Sequence, residues 1–223
     1  TTDKATTSPQ TLYGDYDAYS NTNSDIVSGR SALVAQDITH EVTEVKGTLT
    51  VEARVTTSNP ITTGKKGWFL DLLTPAGANS GERMIANPRV RNGRALFVSI
   101  VPGSDPCNPG GKSRLTELDL VTGSKPTDPP FDLNGDGKID ANGLVEITLA
   151  DGTKQRVAPT GISLIVDYAT SPGVIASSTA DYVYITGDDR DRTDTNPLRG
   201  EDLQGVRRSP GDNARGRQSW RQI

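Results

Sequence analysis

The chain has 223 residues and a formal net charge of −4, so it is long enough for one large β domain or two small ones and has no excess of positive charge for binding nucleic acid. Hydrophobic residues make up only 33% of it, which predicts either a large surface or a core that is completed by something outside the chain. Glycine (23 residues) and proline (14 residues) are abundant, which favours many short strands joined by turns.

Residues 1–30 are rich in Ser, Thr, Asn and Asp and predict an irregular N-terminal segment. They show neither the basic region nor the apolar region of a signal peptide, so we expect that such a peptide has been removed or that the chain begins inside a longer protein. No apolar run approaches the length of about 18 residues that a membrane-spanning helix needs. The sequence therefore predicts no membrane span.

Residues 31–186 carry the strand signals. Thr48 to Val55 alternates apolar and polar residues, which predicts a half-buried antiparallel strand. Asn92-Gly93 is the strongest hairpin signal, and Asp151-Gly152 is a second one. Further strands are predicted at Ala32 to Ile38, Trp68 to Leu72, Arg83 to Val90, Ala95 to Val101, Leu115 to Leu120, Leu144 to Leu149, Lys154 to Val157, Gly161 to Asp167 and Ser178 to Thr186.

No stretch has the periodicity of a long amphipathic helix, so the predicted fold class is mainly β. Strands joined by tight turns in this order have the size of propeller blades, and we expect part of a modified β-propeller with antiparallel blades. Residues 187–223 form a polar tail in which Asp and Arg alternate, a pattern typical of a solvated surface segment. Trp220 is the exception, and it is predicted to anchor this tail onto the body.

The stretch from Asp132 to Asp140 has the composition of a calcium loop. Asp132, Asn134 and Asp136 supply side-chain oxygens at positions one, three and five, and Gly137 follows at the sharp turn. Lys138 offers its backbone carbonyl, and Asp140 adds a third carboxylate at position nine. Ca²⁺ takes six to eight oxygen ligands, and this spacing predicts a site built from these residues.

The loop departs from the EF-hand pattern at position twelve, where Gly143 replaces the usual bidentate Glu. The alternative is a solvated Asp/Asn/Gly turn, because these residues dominate turns for reasons unrelated to metal. Four ligand-type residues in register, with a glycine at the bend, favour calcium over that alternative.

Two single residues bear on other chemistries. Cys107 is the only cysteine, so no disulfide closes within the chain; pairing with a cysteine elsewhere in a longer protein and a free thiol both stay open. His40 is the only histidine and has no catalytic motif around it. The sequence predicts that the protein is not an enzyme.

A series of short stretches resembles, by its order, the C-terminal region of the PilY1 family of type IV pilus tip-associated adhesin and biogenesis proteins. The stretches are Leu12 to Gly14, Gly67 to Leu72, Gly81 to Arg83, Ala86 to Pro88, Ser104 to Cys107, Gly110-Gly111, Glu117 to Asp119 with Thr122-Gly123, Phe131 to Gly137 and Gly216 to Arg221. Each is weak alone, but their shared order is specific and covers nearly the whole chain.

The resemblance implies a secreted protein, extracellular and associated with the outer membrane, carried at the pilus tip or on the cell surface. It implies a modified β-propeller whose calcium loop is associated with pilus extension, retraction and twitching motility, with the family's ligands falling on Asp132, Asn134, Asp136, Lys138 and Asp140. The implied partners are minor pilins of the tip complex, and host or abiotic surfaces through an adhesive region that this chain lacks. Family members are much longer, so the chain resembles their last two to three blades.

Two other classes stay open. One is a fragment of a β-propeller enzyme: Glu117 to Gly123 resembles the blade-closing turn of quinone-dependent dehydrogenases, and a carboxylate pair for glycoside hydrolysis is compatible with the many Asp and Glu residues. The other is a calcium-stabilised recognition module like a dockerin. Dockerins, however, carry two such loops followed by helices, whereas this chain has one loop among strands.

Overall fold

The computed structural model describes residues 8–16, 27–103, 111–166, 168–177, 180–187 and 203–209. Its strands are β1 (Thr11–Asp15), β2 (Val34–Gln36), β3 (Ile38–Lys46), β4 (Leu49–Thr56), β5 (Gly67–Asp71), β6 (Arg89–Arg91), β7 (Arg94–Pro102), β8 (Gly111–Asp119), β9 (Val145–Thr148), β10 (Lys154–Val157), β11 (Gly161–Ser163), β12 (Gly173–Ala176), β13 (Asp181–Thr186) and β14 (Leu203–Arg208). The helical elements of these residues are two 3₁₀ turns, Arg30–Ala32 and Ala141–Gly143. The prediction of a mainly β fold is confirmed.

A six-stranded antiparallel sheet forms the centre of the molecule, in the order β3-β4-β11-β8-β7-β6. Three smaller sheets accompany it: β1-β5-β2, in which β2 runs parallel to β5, the hairpin β9-β10, and the antiparallel sheet β12-β13-β14. Four strand pairs, β1-β5, β2-β5, β4-β11 and β8-β11, join strands that are not consecutive in sequence, so these pairings are set by tertiary structure.

Both faces of the central sheet are covered. On one face, apolar side chains of β4, β7, β8 and β11 pack with those of the β9-β10 hairpin and of the β12-β13-β14 sheet, together with Phe131 and Leu133. On the other face, Ile38, Phe97 and Leu118 pack against β5 and the residue that follows it. The central sheet is therefore a middle layer with a hydrophobic core on each side.

Trp68 on β5 connects two of these layers. Its indole ring occupies the space where a Cβ on Gly14 or on Gly123 would stand, 2.4 Å and 2.2 Å from ring atoms respectively. The indole Nε1 donates a hydrogen bond to the Leu120 carbonyl, 3.1 Å away. In the same turn, Asp119 accepts hydrogen bonds from Thr122. The turn after β8 is thus shaped to hold a tryptophan from another sheet.

The hairpin predicted at Asn92-Gly93 is confirmed: it joins β6 and β7, and both residues adopt the positive φ angles, 49° and 73°, of a type I′ turn. The second hairpin, β9-β10, is also present. Its loop is longer than the two residues Asp151-Gly152, because the last pair of its ladder joins Thr148 to Lys154.

Three local predictions are wrong. Within residues 1–30, which were expected to be irregular, residues 11–15 form β1 and pair with β5. The C-terminal half of β4 is buried on both faces, with Arg54 3% and Thr56 1% exposed, because Glu82 and Glu41 pair with Arg54 and Thr160 hydrogen-bonds to Thr56. Arg83 makes only an isolated bridge to Ile100, and the strand expected from that point begins at β6.

Within the predicted polar tail, residues 203–208 form β14 on the edge of β13, so the prediction of a solvated segment is wrong for these residues. Trp220 and Cys107 lie outside the described residues. The described strands form no closed propeller, so the assignment to blades stays a prediction. The described residues form no helix that is long and apolar enough to cross a bilayer.

Candidate metal centre

The predicted calcium loop lies on the surface between the buried side chain of Phe131 and the 3₁₀ turn Ala141–Gly143. Asp132 organises its first half: one carboxylate oxygen accepts the Gly135 N–H and the other accepts the Gly137 N–H, both at 2.8 Å. Gly135 and Gly137 have φ angles of 71° and 80°, a region that glycine enters without steric cost. The two glycines thus let the chain fold back over the Asp132 carboxylate.

Asn134 and Asp136 contact each other at the tip of the loop. The Asn134 Nδ2 donates to one carboxylate oxygen of Asp136 at 2.9 Å, and the Lys138 N–H donates to the other at 2.8 Å. The Asn134 amide first, and then the Lys138 N–H, lower the pKa of Asp136 below its ordinary value. Asp136 is therefore ionised at neutral pH.

Asp140 contacts the residues that follow it in the chain rather than the first half of the loop. Its carboxylate caps the following 3₁₀ turn, accepting the Asn142 N–H at 2.8 Å. The Lys138 side chain is exposed. The structure thus links Asp132, Asn134 and Asp136 through one compact turn, whereas Asp140 serves a separate turn.

The donor set fits calcium by its chemistry, since it consists of hard oxygen donors within nine residues. The described part of the chain nevertheless contains no group of three or more His, Cys, Asp or Glu side chains placed to hold one ion. The carboxylates point at N–H groups of their own loop, and each ionised carboxylate keeps further lone pairs. Convergence on a cation requires Asn134 to release Asp136 and Asp140 to turn inward.

Two distant segments hold the loop in place, and sequence reasoning missed both. The turn between β3 and β4 lies against it: a Cβ on Gly47 would stand 3.4 Å from the Asn134 carbonyl, and a Cβ on Gly135 would stand 3.5 Å from the Leu49 side chain. Leu49 is 40% exposed there, although it belongs to the apolar positions of the alternating segment Thr48 to Val55, which was predicted to be half-buried. No local sequence signal reports a contact between segments so far apart.

The second segment is the end of β14. The Asp132 N–H donates to the Arg207 carbonyl at 3.1 Å, and the Ser209 N–H donates to the Pro130 carbonyl at 2.8 Å. Phe131 and Arg208 form an antiparallel bridge between these two contacts. The start of the loop is therefore a short partner strand of β14.

Arg208 fixes β14 in turn through a buried ion network. Its guanidinium donates to both carboxylate oxygens of Glu117, at 2.8 and 2.9 Å, and to Asp181 at 2.6 Å, and all three side chains are fully buried. Arg94 also pairs with Glu117, and Arg91 pairs with Asp181. β14 is thus tied both to the central sheet and to its own sheet.

A cleft of about 510 Å³ opens beside the loop. Asp140 and Asp128 contribute carboxylates to its wall, and Ile139 and Leu144 contribute apolar surface. A change in the orientation of Asp140 therefore changes the lining of this cleft.

His40 is the only histidine of the chain and would be the first candidate for a catalytic residue. In the structure it links two elements. Its Nε2 lies 3.1 Å from the Thr148 carbonyl and its Nδ1 lies 3.1 Å from the Thr39 hydroxyl. It thereby connects the edge strand β3 to the β9-β10 hairpin.

Fold and loop together define a mainly β module with an oxygen-rich loop held on its surface. The chain is 25% identical, over 98% of its length, to the type IV pilus biogenesis factor PilY1 of Pseudomonas aeruginosa, and 36% identical, over 51% of its length, to a PilY1 homologue of Xylella fastidiosa. Its fold matches the crystal structure of the Pseudomonas aeruginosa PilY1 C-terminal domain with a TM-score of 0.68 over 92% of the chain, at 20% identity. The resemblance to the C-terminal region of PilY1 proteins is confirmed.

The match is to a part of these relatives. The chain spans 18% of the Pseudomonas protein, 7% of the Xylella protein and 38% of the solved chain. No family model matches the chain.

Proposed function

We propose that this chain is the C-terminal portion of a protein that acts in type IV pilus biogenesis at the pilus tip, outside the cell. The observation that carries the proposal is the alignment of 98% of the chain with a relative named as a type IV pilus biogenesis factor. Pilus extension and retraction, twitching motility and adhesion to surfaces are the processes in which the full protein takes part. Adhesion itself resides in a region outside this chain.

The β architecture supports a modified propeller as the frame of this region. Trp68, held between Gly14 and Gly123, joins two sheets face to face as neighbouring blades of a propeller are joined. The sheets of the chain are then blades that pack on further blades of the longer protein. A hydrophobic content of only 33% is consistent with a core that is shared with such neighbours.

Calcium is the proposed ligand of the loop, held by side-chain oxygens of Asp132, Asn134, Asp136 and Asp140 and by the Lys138 carbonyl. A bound cation supplies positive charge that offsets the mutual repulsion of three carboxylates within nine residues. The glycines at 135 and 137 give the loop a backbone that folds around its centre. Extracellular sites of this type bind with a Kd of about 10⁻⁴ to 10⁻³ M, which suits regulation by local calcium.

Reorientation of Asp140 connects the proposed ion site to the neighbouring cleft. Because Asp140 contributes to the wall of that cleft, calcium would alter the surface presented to a partner. Minor pilins of the tip complex are the proposed partners of this surface.

Calorimetric titration with CaCl₂, with MgCl₂ as competitor, tests the ion site. We expect one calcium ion per chain, no comparable binding of magnesium, and loss of binding in Asp132→Ala. Asp151→Ala is the matched control, since it makes the same substitution in an exposed turn outside the loop, where Asp151 accepts the Thr153 N–H. Binding that survives in Asp132→Ala, or no binding to the unaltered chain, would reduce the loop to a polar turn.

The pilus role is tested in the full-length protein in its own bacterium. We expect Asp136→Ala in that protein to change the number of surface pili recovered by shearing and to reduce twitching, with the protein still exported. Normal piliation and motility after deletion of the whole gene would refute the role in pilus biogenesis, independently of calcium.

A further inference from the structure

We propose that Arg207 sets the strength with which the 132–140 loop binds a cation: its fixed positive charge beside the loop stabilises the ion-free form and weakens ion binding. This inference rests on the calcium site proposed above and deepens it, since it identifies the residue that tunes the affinity. It comes from β14, outside the stretch in which the ligands were predicted.

The guanidinium of Arg207 is held in one place by Tyr182 on the neighbouring strand. The two residues are directly opposite each other in the β13-β14 ladder. The guanidinium lies over the tyrosine ring, 5.7 Å from its centroid, and donates a hydrogen bond to the tyrosine hydroxyl at 3.2 Å. Its charge is therefore fixed relative to the sheet and does not move freely in solvent.

Arg207 lies against the loop with both its backbone and its side chain. Its backbone carbonyl accepts the Asp132 N–H, and one guanidinium nitrogen lies 3.6 Å from where a Cβ on Gly137 would stand. The guanidinium thus sits under the bend that brings the predicted ligands together. A side chain at position 137 would make van der Waals contact with the guanidinium, and the φ of 80° there favours glycine.

The environment of Arg207 keeps its charge effective. The side chain is half-buried, and its Nε is buried without a hydrogen-bond partner among the described residues. Partial burial reduces screening by solvent, so the charge of the guanidinium acts on the neighbouring loop more strongly than it would from a fully exposed position. Asp136, whose pKa is lowered chiefly by Asn134 and the Lys138 N–H, also feels the Arg207 charge.

This position has opposite effects on the two states of the loop. Without an ion, the positive charge offsets repulsion among Asp132, Asp136 and Asp140. With a divalent cation between these carboxylates, the same charge repels the ion. Arg207 thereby favours release, and it keeps the affinity weak enough to respond to changes in external calcium.

The test is calorimetric titration with CaCl₂ at low and at high ionic strength, on the unaltered chain and three variants. Arg207→Gln removes the charge, Arg207→Lys keeps it, and Lys65→Gln removes one charge from a residue that contacts Ser31, away from the loop. We expect Arg207→Gln to bind calcium about three- to tenfold more tightly, as for a unit charge acting on a divalent ion across less than a Debye length. We expect the gain to shrink at high salt, with the other two variants close to the unaltered chain.

Thermal unfolding supplies a second readout, and its calcium-free arm does not depend on calcium affinity. Without calcium, Arg207→Gln should melt at a lower temperature than Arg207→Lys, and saturating calcium should raise its melting temperature more than that of the unaltered chain.

The possible failures are distinct. If the unaltered chain binds calcium and Arg207→Gln binds equally or more weakly, the role of Arg207 is refuted while the calcium site stands. If Arg207→Lys gains as much affinity as Arg207→Gln, packing rather than charge sets the affinity, and the proposal fails. If neither the unaltered chain nor any of the variants binds calcium, the calcium site itself is refuted.

Discussion

Replacing Arg208 by Met should loosen β14 and destabilise the chain, and the structure gives the size of the effect. The variant keeps a long side chain but removes three hydrogen bonds to Glu117 and Asp181, both fully buried. Removing one partner of a buried ion pair costs about 3–5 kcal/mol, because the remaining charge stays buried. Here each carboxylate keeps one arginine, Arg94 or Arg91, so we expect the lower end, about 3 kcal/mol.

The assay is urea unfolding of the chain followed by tryptophan fluorescence and by circular dichroism, with free energies compared at equal slope. Arg207→Met is the matched control: it changes the adjacent residue of the same strand in the same way, but Arg207 is half-buried and faces Tyr182. We expect that control to cost less than about 1 kcal/mol.

A second comparison separates the ion network from packing. Glu117→Gln with Arg208→Met should cost much less than the sum of the two single changes, since both remove the same interaction. If Arg208→Met costs no more than Arg207→Met, or if the double change is additive, the buried network is not what attaches β14 to the sheets.

Three further outcomes follow from the fold. Gly123→Ala should destabilise the chain by about 2 kcal/mol or more, because the new methyl group would overlap the Trp68 ring. Gly152→Ala is the control: its φ of 83° is similar and no atom lies within 4 Å of the new methyl group, so it should cost about 1 kcal/mol. Thermal unfolding compares the two variants. Burial alone would raise the pKa of Glu82, but hydrogen bonds and charge from Arg54 outweigh it and lower that pKa. The Glu82–Arg54 pair therefore contributes its full stabilisation above the unfolded pKa of about 4.5, and that contribution declines as pH falls below this value. Urea unfolding at pH 3 to 7 would detect the decline. Glu82→Gln should flatten the dependence of the unfolding free energy on pH. Leu49→Ser should lower protection of the loop amides from hydrogen exchange while leaving the β8 amides unchanged, since the Leu49 side chain lies beside Gly135 at the surface.

The fold class and the strongest turns could be predicted from the sequence because they depend on local signals. Asn92-Gly93 requires positive φ angles at both positions, and few other turns satisfy that requirement. Layering could not be predicted in this way. Arg54 occupies a polar position of an alternating strand, yet it is buried by Glu82 and Glu41, which lie 28 and 13 residues away in sequence.

The C-terminal tail is a second place where the sequence does not predict which charged residues are buried. A run of charged residues is typical of a solvated surface, and residues 207 and 208 are both arginines within it. The structure assigns them different environments, one half-buried over Tyr182 and one fully buried among Glu117 and Asp181. Only strand pairing decides which side of β14 each faces, and that pairing is tertiary.

The candidate site combines both kinds of information. The sequence supplies the oxygen donors of Asp132 to Asp140 and the glycines that let the loop bend, but it does not specify where the carboxylates point. Their orientation depends on β14 at the start of the loop and on the β3-β4 turn at its tip, two segments held by different sheets. A cation that draws Asp136 and Asp140 inward must therefore act against contacts that the rest of the fold maintains. Because Arg208 anchors the same strand to the buried network, we expect that rearrangement to stay within the loop and the cleft beside Asp140.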